Sequence, residues 1–378
     1  MLIDIGDKLF DRLPDSENLD IRHLIHLFDN MSECYKLFWF QAILDSIEDG
    51  KELITFGELI DNMIADAWYM VSEYHLNLGP ADTLESLVHM AFRLTGLKSC
   101  ARRDKILEVI HNIDDREFCE KKRNMTNQVP YRLQAPFMPS LKGKAWNVPK
   151  KELANRINQE KRLIYYFVSI AGLDSEICVD ADWIKYMKTN KEILKGWIQF
   201  HLVQYLQKRN PIVPGIVNKL YPQQKRKLGA VRDYWKTIVS SEEIHDIFDD
   251  HVLTENEISI DHFIPWSYVA HDELWNLHPT TKSINTQKSS YLPEWQYYFE
   301  RLSNVEYQAY QLIWKPGAVQ KAFEKCLKEH VNSADVRLKL YRPGISRYEF
   351  KNNLEEVMLP VYQSAKNLGF ESWIYNRS

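Results

Sequence analysis

The sequence predicts a mainly α protein with one small α+β module near its C-terminal end. Three observations predict this class. Apolar residues recur at spacings of three and four over most of the chain, the period of an amphipathic helix. Between residues 257 and 293 that period gives way to a short alternating run, a proline-containing loop, a second apolar run and a helix start. With 45% apolar and 26% charged residues, eleven Trp and twenty Tyr in 378 residues, the chain has the composition of a globular protein able to bury several cores.

Residues 1–96 read as an acidic helical domain. Segments 32–47 and 56–73 are amphipathic, Gly79-Pro80 breaks the chain, and Asp82 or Thr83 caps a helix over 83–95. Residues 97–236 read as a basic helical region. A helix near 102–112 leads into a looped basic connector with four prolines from 130 to 149, and helices over 151–171 and 182–208 end at Asn210-Pro211. Residues 237–300 hold the α+β module. Residues 301–378 read as a C-terminal helical region packing on it, with helices over 317–331 and 349–367 and an aromatic tail, GFESWIYNRS, as an anchor.

Charge follows these blocks. Residues 1–96 carry 6 Lys and Arg against 18 Asp and Glu, residues 97–236 carry 28 against 14, and the remainder 14 against 20. The overall net charge of −4 therefore conceals a block of +14 between blocks of −12 and −6. Such a block is a candidate polyanion surface. Its last segment interleaves Lys225, Arg226, Lys227, Arg232 and Lys236 with Tyr234 and Trp235. That pattern suits backbone contact with stacking on DNA, and equally an amphipathic helix with a basic outer face.

Other classes are set aside. The five cysteines form no C-x-x-C pair, so free thiols in a reducing cytoplasm are expected. The first residues lack the flanks of a targeting signal, and no run reaches the roughly 18 apolar residues of a membrane span.

The chemistry concentrates in the module. EISIDH (257–262) reads as a strand ending in Asp261 and His262, and LWNLHPTT (274–281) as a second strand around Asn276. KSINTQKSSYLPEW then opens a helix, with Ser283 as cap and Pro293 limiting its length. Phosphodiester hydrolysis needs a base for the attacking water and positive charge for the phosphoryl and leaving oxygens. Histidine, with an ordinary pKa of about 6.5, is the natural base. A hard ion needs oxygen ligands, which the Asp261 carboxylate and the Asn285 amide supply from opposite elements. Asn276 is placed to bridge the loop and aim His262. Lys288, on the helical face of Asn285, is placed to meet a phosphate. Two looser groups, His245–Asp249–Asp250–His251 and His271 with His278, read by default as solvated or packed side chains.

SIDHFIPWSYVAHDELWNLHPTTKSINTQKSS resembles the HNH, or ββα-metal, endonuclease motif, in the variant found in the HNH domain of RNA-guided CRISPR effector nucleases. The intervals are 14 residues from His262 to Asn276, 9 to Asn285 and 3 to Lys288. The resemblance implies Asp261 and Asn285 as ligands of Mg²⁺ or Mn²⁺, His262 as general base and Asn276 as orienting residue. It covers about forty residues, with Asn as the third motif letter, and guide-RNA use is not implied. The helical flanks are similar to bacterial HNH proteins of anti-phage defence, which implies an effector held by a sensor or ATPase partner. Two other functions stay open at this point: a sequence-specific restriction endonuclease, and a non-catalytic DNA-binding or adaptor protein with a vestigial HNH fold.

Overall fold

The computed structural model describes residues 12–29, 31–80, 82–222 and 228–376. The chain divides into two compact units, Met1–Pro211 with Leu220–Pro222, and Ile212–Lys219 with Gln223–Ser378.

The first unit is helical around one small sheet. Its elements are α1 (Ile21–Ile25), α2 (Tyr35–Glu48), β1 (Leu53–Thr55), α3 (Phe56–Ser72), α4 (Thr83–Thr95), α5 (Arg103–His111), α6 (Arg116–Asn124), α7 (Val129–Arg132), α8 (Lys150–Ile157), β2 (Tyr165–Ser169), β3 (Glu176–Val179), α9 (Ala181–Thr189) and α10 (Lys191–Arg209). Local chemistry sets the ends. Thr55 and Glu58 form a capping box that starts α3. Asp82 caps α4 through the Glu85 amide at 2.9 Å, and Gly96 closes it at φ +60°. The segment after α5 is more helical than the expected loop.

The stretch 151–171 is not one helix. Helix α8 stops at Ile157, and Tyr165–Ser169 is an edge strand of an antiparallel sheet of order β1-β3-β2. Its burial alternates where the sequence is an aromatic and β-branched run, the composition a pleated surface accepts. The outer edge is closed by side-chain amides. Gln134 pairs with both backbone groups of Tyr165 at 3.0 and 3.1 Å, and Asn158 with both of Phe167 at 2.7 and 2.9 Å. The stretch 182–208 is likewise two helices, divided at Asn190, whose backbone is non-helical.

Within this unit the acidic 1–96 segment pairs with the basic segment that follows it. Arg103 lies 2.9 Å from Asp66 and 3.5 Å from Asp45, Lys195 lies 2.9 Å from Glu48, and Lys191 also reaches Glu48. Lys122 and Asp61 form a buried pair.

The second unit runs α11 (Gly229–Val239), β4 (Ile258–His262), α12 (Trp266–Val269), β5 (Leu277–Thr281), α13 (Lys282–Lys288), β6 (Leu292–Pro293), α14 (Trp295–Ile313), α15 (Ala318–His330), α16 (Ala334–Leu340), α17 (Arg347–Asn367) and β7 (Ser372–Trp373). One continuous apolar core joins the β4–β5 hairpin to the helices on either side, so residues 237–300 and 301–378 share their interior. The aromatic tail docks here. β7 pairs in parallel with β6, and Trp373 meets Phe248 edge-on at 5.1 Å. The molecule is thus mainly α with a small α+β module, as the sequence predicts. No helix among the described residues is long and apolar enough to cross a membrane.

Candidate active site

The hairpin places the chemistry. β4 and β5 are antiparallel, with Asp261 opposite His278 and His262 opposite Leu277. The second strand begins at Leu277, not at 274, because Leu274–Asn276 forms a 3₁₀ turn. Helix α13 is capped by Thr281, which accepts from the Ile284 amide at 3.3 Å, so Ser283 lies inside it. The helix ends at Lys288, well before Pro293, where Ser289 takes a φ of +47°.

Asn276 is fully buried and holds the loop after β4 at both ends of one residue. Its Oδ1 accepts from the Ile264 amide at 2.8 Å and its Nδ2 donates to the Ile264 carbonyl at 2.8 Å. Its own carbonyl accepts from Phe263 N at 3.0 Å. The chain is therefore fixed directly after His262, where β4 ends.

His262 and Asp261 serve opposite directions, as neighbours at a strand end do. The His262 Nε2 lies 2.8 Å from Asp272 Oδ1. Asp272 reaches it because Ala270, at φ +53°, closes α12 and turns the chain back. The Asp272 carbonyl is held by His330 Nδ1 at 2.7 Å, and the Glu273 carboxylate accepts from Asn332 at 2.6 Å. Lys219 donates to the Tyr268 carbonyl at 2.6 Å and steadies α12 from below; burial pushes this lysine down to about 7.

The Asp261 carboxylate is buried against Lys288, whose Nζ lies 3.1 Å from Oδ2 and donates to the His262 carbonyl at 2.7 Å. Burial works to raise this carboxyl, but the Lys288 ammonium and His278 more than offset it and hold it at about 2, so it is ionised. Lys288 was expected to face a phosphate. It is instead fully buried, because the helical face it shares with Asn285 packs onto β4. Asn285 donates through Nδ2 to Ser259 Oγ at 2.9 Å and to the Ile260 carbonyl at 3.0 Å, and its Oδ1 accepts from no described residue.

The remaining expected residues are distributed elsewhere. Lys225, Arg226 and Lys227 lie outside the described residues. Arg232 is exposed and Lys236 half-buried on α11. Tyr234 and Trp235 are core residues and not a stacking platform: Trp235 is fully buried and donates from Nε1 to the Leu277 carbonyl at 2.9 Å. His245 and His251 are engaged with Glu243 and Glu257, and Asp246 is buried under β5, accepting from Thr280 at 2.6 Å. No group of three or more His, Cys, Asp or Glu suited to a metal occurs among the described residues. His271 lies against Trp275, ring centroids 5.9 Å apart.

Sequence reasoning missed Asp272 as a partner of His262 and His278 as a neighbour of Asp261. The first depends on how the loop returns. The second was readable only from the correct hairpin register.

The family model for HNH endonucleases matches residues 243–294. Neither a curated protein nor a solved structure matches the chain. Enzymes of this group generally depend on a divalent metal, and the residues present fit one. Asp261 Oδ2 is buried with no hydrogen bond, and the Asn285 amide has committed its donors and kept an oxygen acceptor. With that match and that arrangement, the unit built from β4, β5 and α13 is the HNH endonuclease domain of this chain.

Proposed function

We propose that this protein is a metal-dependent endonuclease that hydrolyses DNA phosphodiester bonds, with Asp261 and Asn285 holding the ion and His262 acting as general base. The observation that carries this reading is the join of two arrangements at one strand end. His262 is oriented by Asp272 and by the Asn276-pinned loop, and directly beside it lies an ionised carboxylate whose Oδ2, ion-paired with Lys288, makes no hydrogen bond.

A bound divalent ion would neutralise charge on the phosphoryl and leaving oxygens. The chain's own residues do the rest. His262, with Nε2 on Asp272, takes the water's proton on its imidazole. Asp272 fixes that ring orientation and stabilises the imidazolium that forms, as a buried carboxylate does for a catalytic histidine. Asn276 keeps the backbone after His262 from drifting, and positioning errors of about 1 Å cost roughly 10² in rate. Arg232 and Lys236, together with Lys225, Arg226 and Lys227, are assigned to the DNA backbone, which gives affinity without sequence preference. The biological setting we propose, an effector of anti-phage defence answering to a sensor or ATPase partner, rests on the likeness of the flanks alone.

The test is strand-resolved cleavage of plasmid and phage DNA with Mg²⁺ or Mn²⁺ titrated. We expect His262→Ala to lose about 10²–10⁴-fold in cleavage rate, the range of a general base, with its unfolding curve retained. Unchanged cleavage by that variant would remove His262 from the mechanism.

A further inference from the structure

His278 stands directly across the β4–β5 ladder from Asp261, and antiparallel cross-strand partners share one face of the hairpin. Its ring is completely buried. Nδ1 lies 3.3 Å from the Pro279 carbonyl, and Nε2 lies 3.6 Å from Asp261 Oδ2. Both Nε2 of His278 and Oδ2 of Asp261 are buried without a hydrogen-bond partner.

The proton assignment follows from the surroundings. A carbonyl oxygen only accepts, so the nitrogen beside Pro279 is the one that carries hydrogen. Nε2 faces the Asp261 oxygen at 3.6 Å, beyond hydrogen-bond distance. These two buried atoms lack a shared positive partner. The Lys288 ammonium reaches the carboxylate at 3.1 Å, yet no donor reaches Nε2. Histidine ligands of metals characteristically donate their other N–H to a backbone carbonyl, which is the arrangement Pro279 provides.

We propose that His278 Nε2 is a third protein ligand to the ion held by Asp261 and Asn285, and that this Asp-Asn-His set selects Mn²⁺ or another first-row transition ion over Mg²⁺. The proposal rests on reading the site as metal-dependent. A gap of 3.6 Å lies within the span of two ligands on one ion, whose bonds are each about 2.1 Å. An imidazole ligand shifts preference away from the oxygen-seeking Mg²⁺ toward transition ions. The motif positions themselves, all oxygen donors, do not carry that shift.

The experiment binds Mn²⁺ alone to the full chain and reads it by pulsed EPR, with Mg²⁺ competition alongside. The expected result is a histidine-nitrogen coupling to bound Mn²⁺ and at least tenfold weaker competition by Mg²⁺ than by Mn²⁺. His278→Gln should erase the nitrogen coupling and weaken Mn²⁺ by about tenfold. Should that variant fail to fold, His262→Ala supplies the control, because the coupling must persist there. Absence of Mn²⁺ binding, binding without nitrogen coupling, or a coupling lost in His262→Ala would each overturn the proposal. The outcomes separate it from the nuclease reading. Cleavage by a protein whose Mn²⁺ shows no nitrogen coupling leaves the nuclease and removes the ligand. Nitrogen-coupled Mn²⁺ without cleavage does the reverse.

Discussion

Replacing Asn276 with alanine tests whether the loop after β4 is held by one side chain. Both amide atoms of Asn276 are spent on Ile264, at 2.8 Å each, in a position with no solvent exposure. Truncation leaves the Ile264 N–H and C=O buried without partners. Each such orphan costs about 1–3 kcal/mol, so local stability should fall by about 2–6 kcal/mol. That is a large share of the ~5–15 kcal/mol that holds an ordinary domain together. Eleven tryptophans and two units would blur a global unfolding curve. Amide hydrogen exchange in residues 258–266 is the cleaner assay. At 1.4 kcal/mol per factor of ten, exchange there should accelerate roughly 30-fold to 10⁴-fold. Cleavage should fall through kcat with KM little changed, because the proposed base is displaced and the proposed DNA contacts are not. Exchange within a factor of five of the parent, or an unaltered kcat, would refute the pinning role.

Further tests follow from the same geometry. Asp261→Ala leaves the Lys288 ammonium buried and unpaired and should cost about 3–5 kcal/mol; adding Lys288→Met should restore stability by denaturant titration but not cleavage. Lys219, pushed by burial from 10.5 to about 7, binds fewer protons folded than unfolded between those values, so stability should rise with pH from about 7 toward 10; Lys219→Met should flatten that rise, and a rise that persists would assign it to other groups. Arg232→Ala with Lys236→Ala should reduce the slope of log affinity for DNA against log salt by about 2, by titration across salt concentrations. Removing the buried pair with Asp61→Asn and Lys122→Met should leave that slope unchanged.

What was legible in the sequence was local or fixed by spacing. Asp82 and Gly96 bound α4 through chemistry within a few residues, and Asp261, His262, Asn276, Asn285 and Lys288 keep their intervals whatever surrounds them. The misread strand β2 shows the limit. Its neighbour across β3 is β1, three residues more than a hundred positions earlier, too short to show a period of two. Without partners in view, an apolar run following a helix reads as more helix. Placing the second hairpin strand three residues early had a sharper consequence. Register is what sets His278 against Asp261, and a shifted strand conceals that pair. Asp272 was invisible for a different reason, since its approach to His262 depends on Ala270 adopting a left-handed backbone that its residue type does not advertise.

Charge along the chain and charge on a surface are different quantities here. The +14 of residues 97–236 invites a reading in which that whole region faces a polyanion. Yet Arg103, Lys122, Lys191 and Lys195 from that region lie on Asp66, Asp61 and Glu48 of the acidic one. These pairs join segments distant in sequence, and the Lys122–Asp61 pair does so out of water, where breaking it is costly. A cation held this way releases no counterion when DNA arrives, so it adds little to affinity or salt dependence. Part of the opposition between the two blocks is therefore internal to the first unit and serves its assembly. Under the proposed function, electrostatic capture of DNA rests on exposed cations, of which Arg232 on α11 is one within the unit that holds β4, β5 and α13. Because α11 packs against β4 and β5, with Trp235 bonded to the Leu277 carbonyl, a phosphate held by Arg232 would be held on the same core as β4.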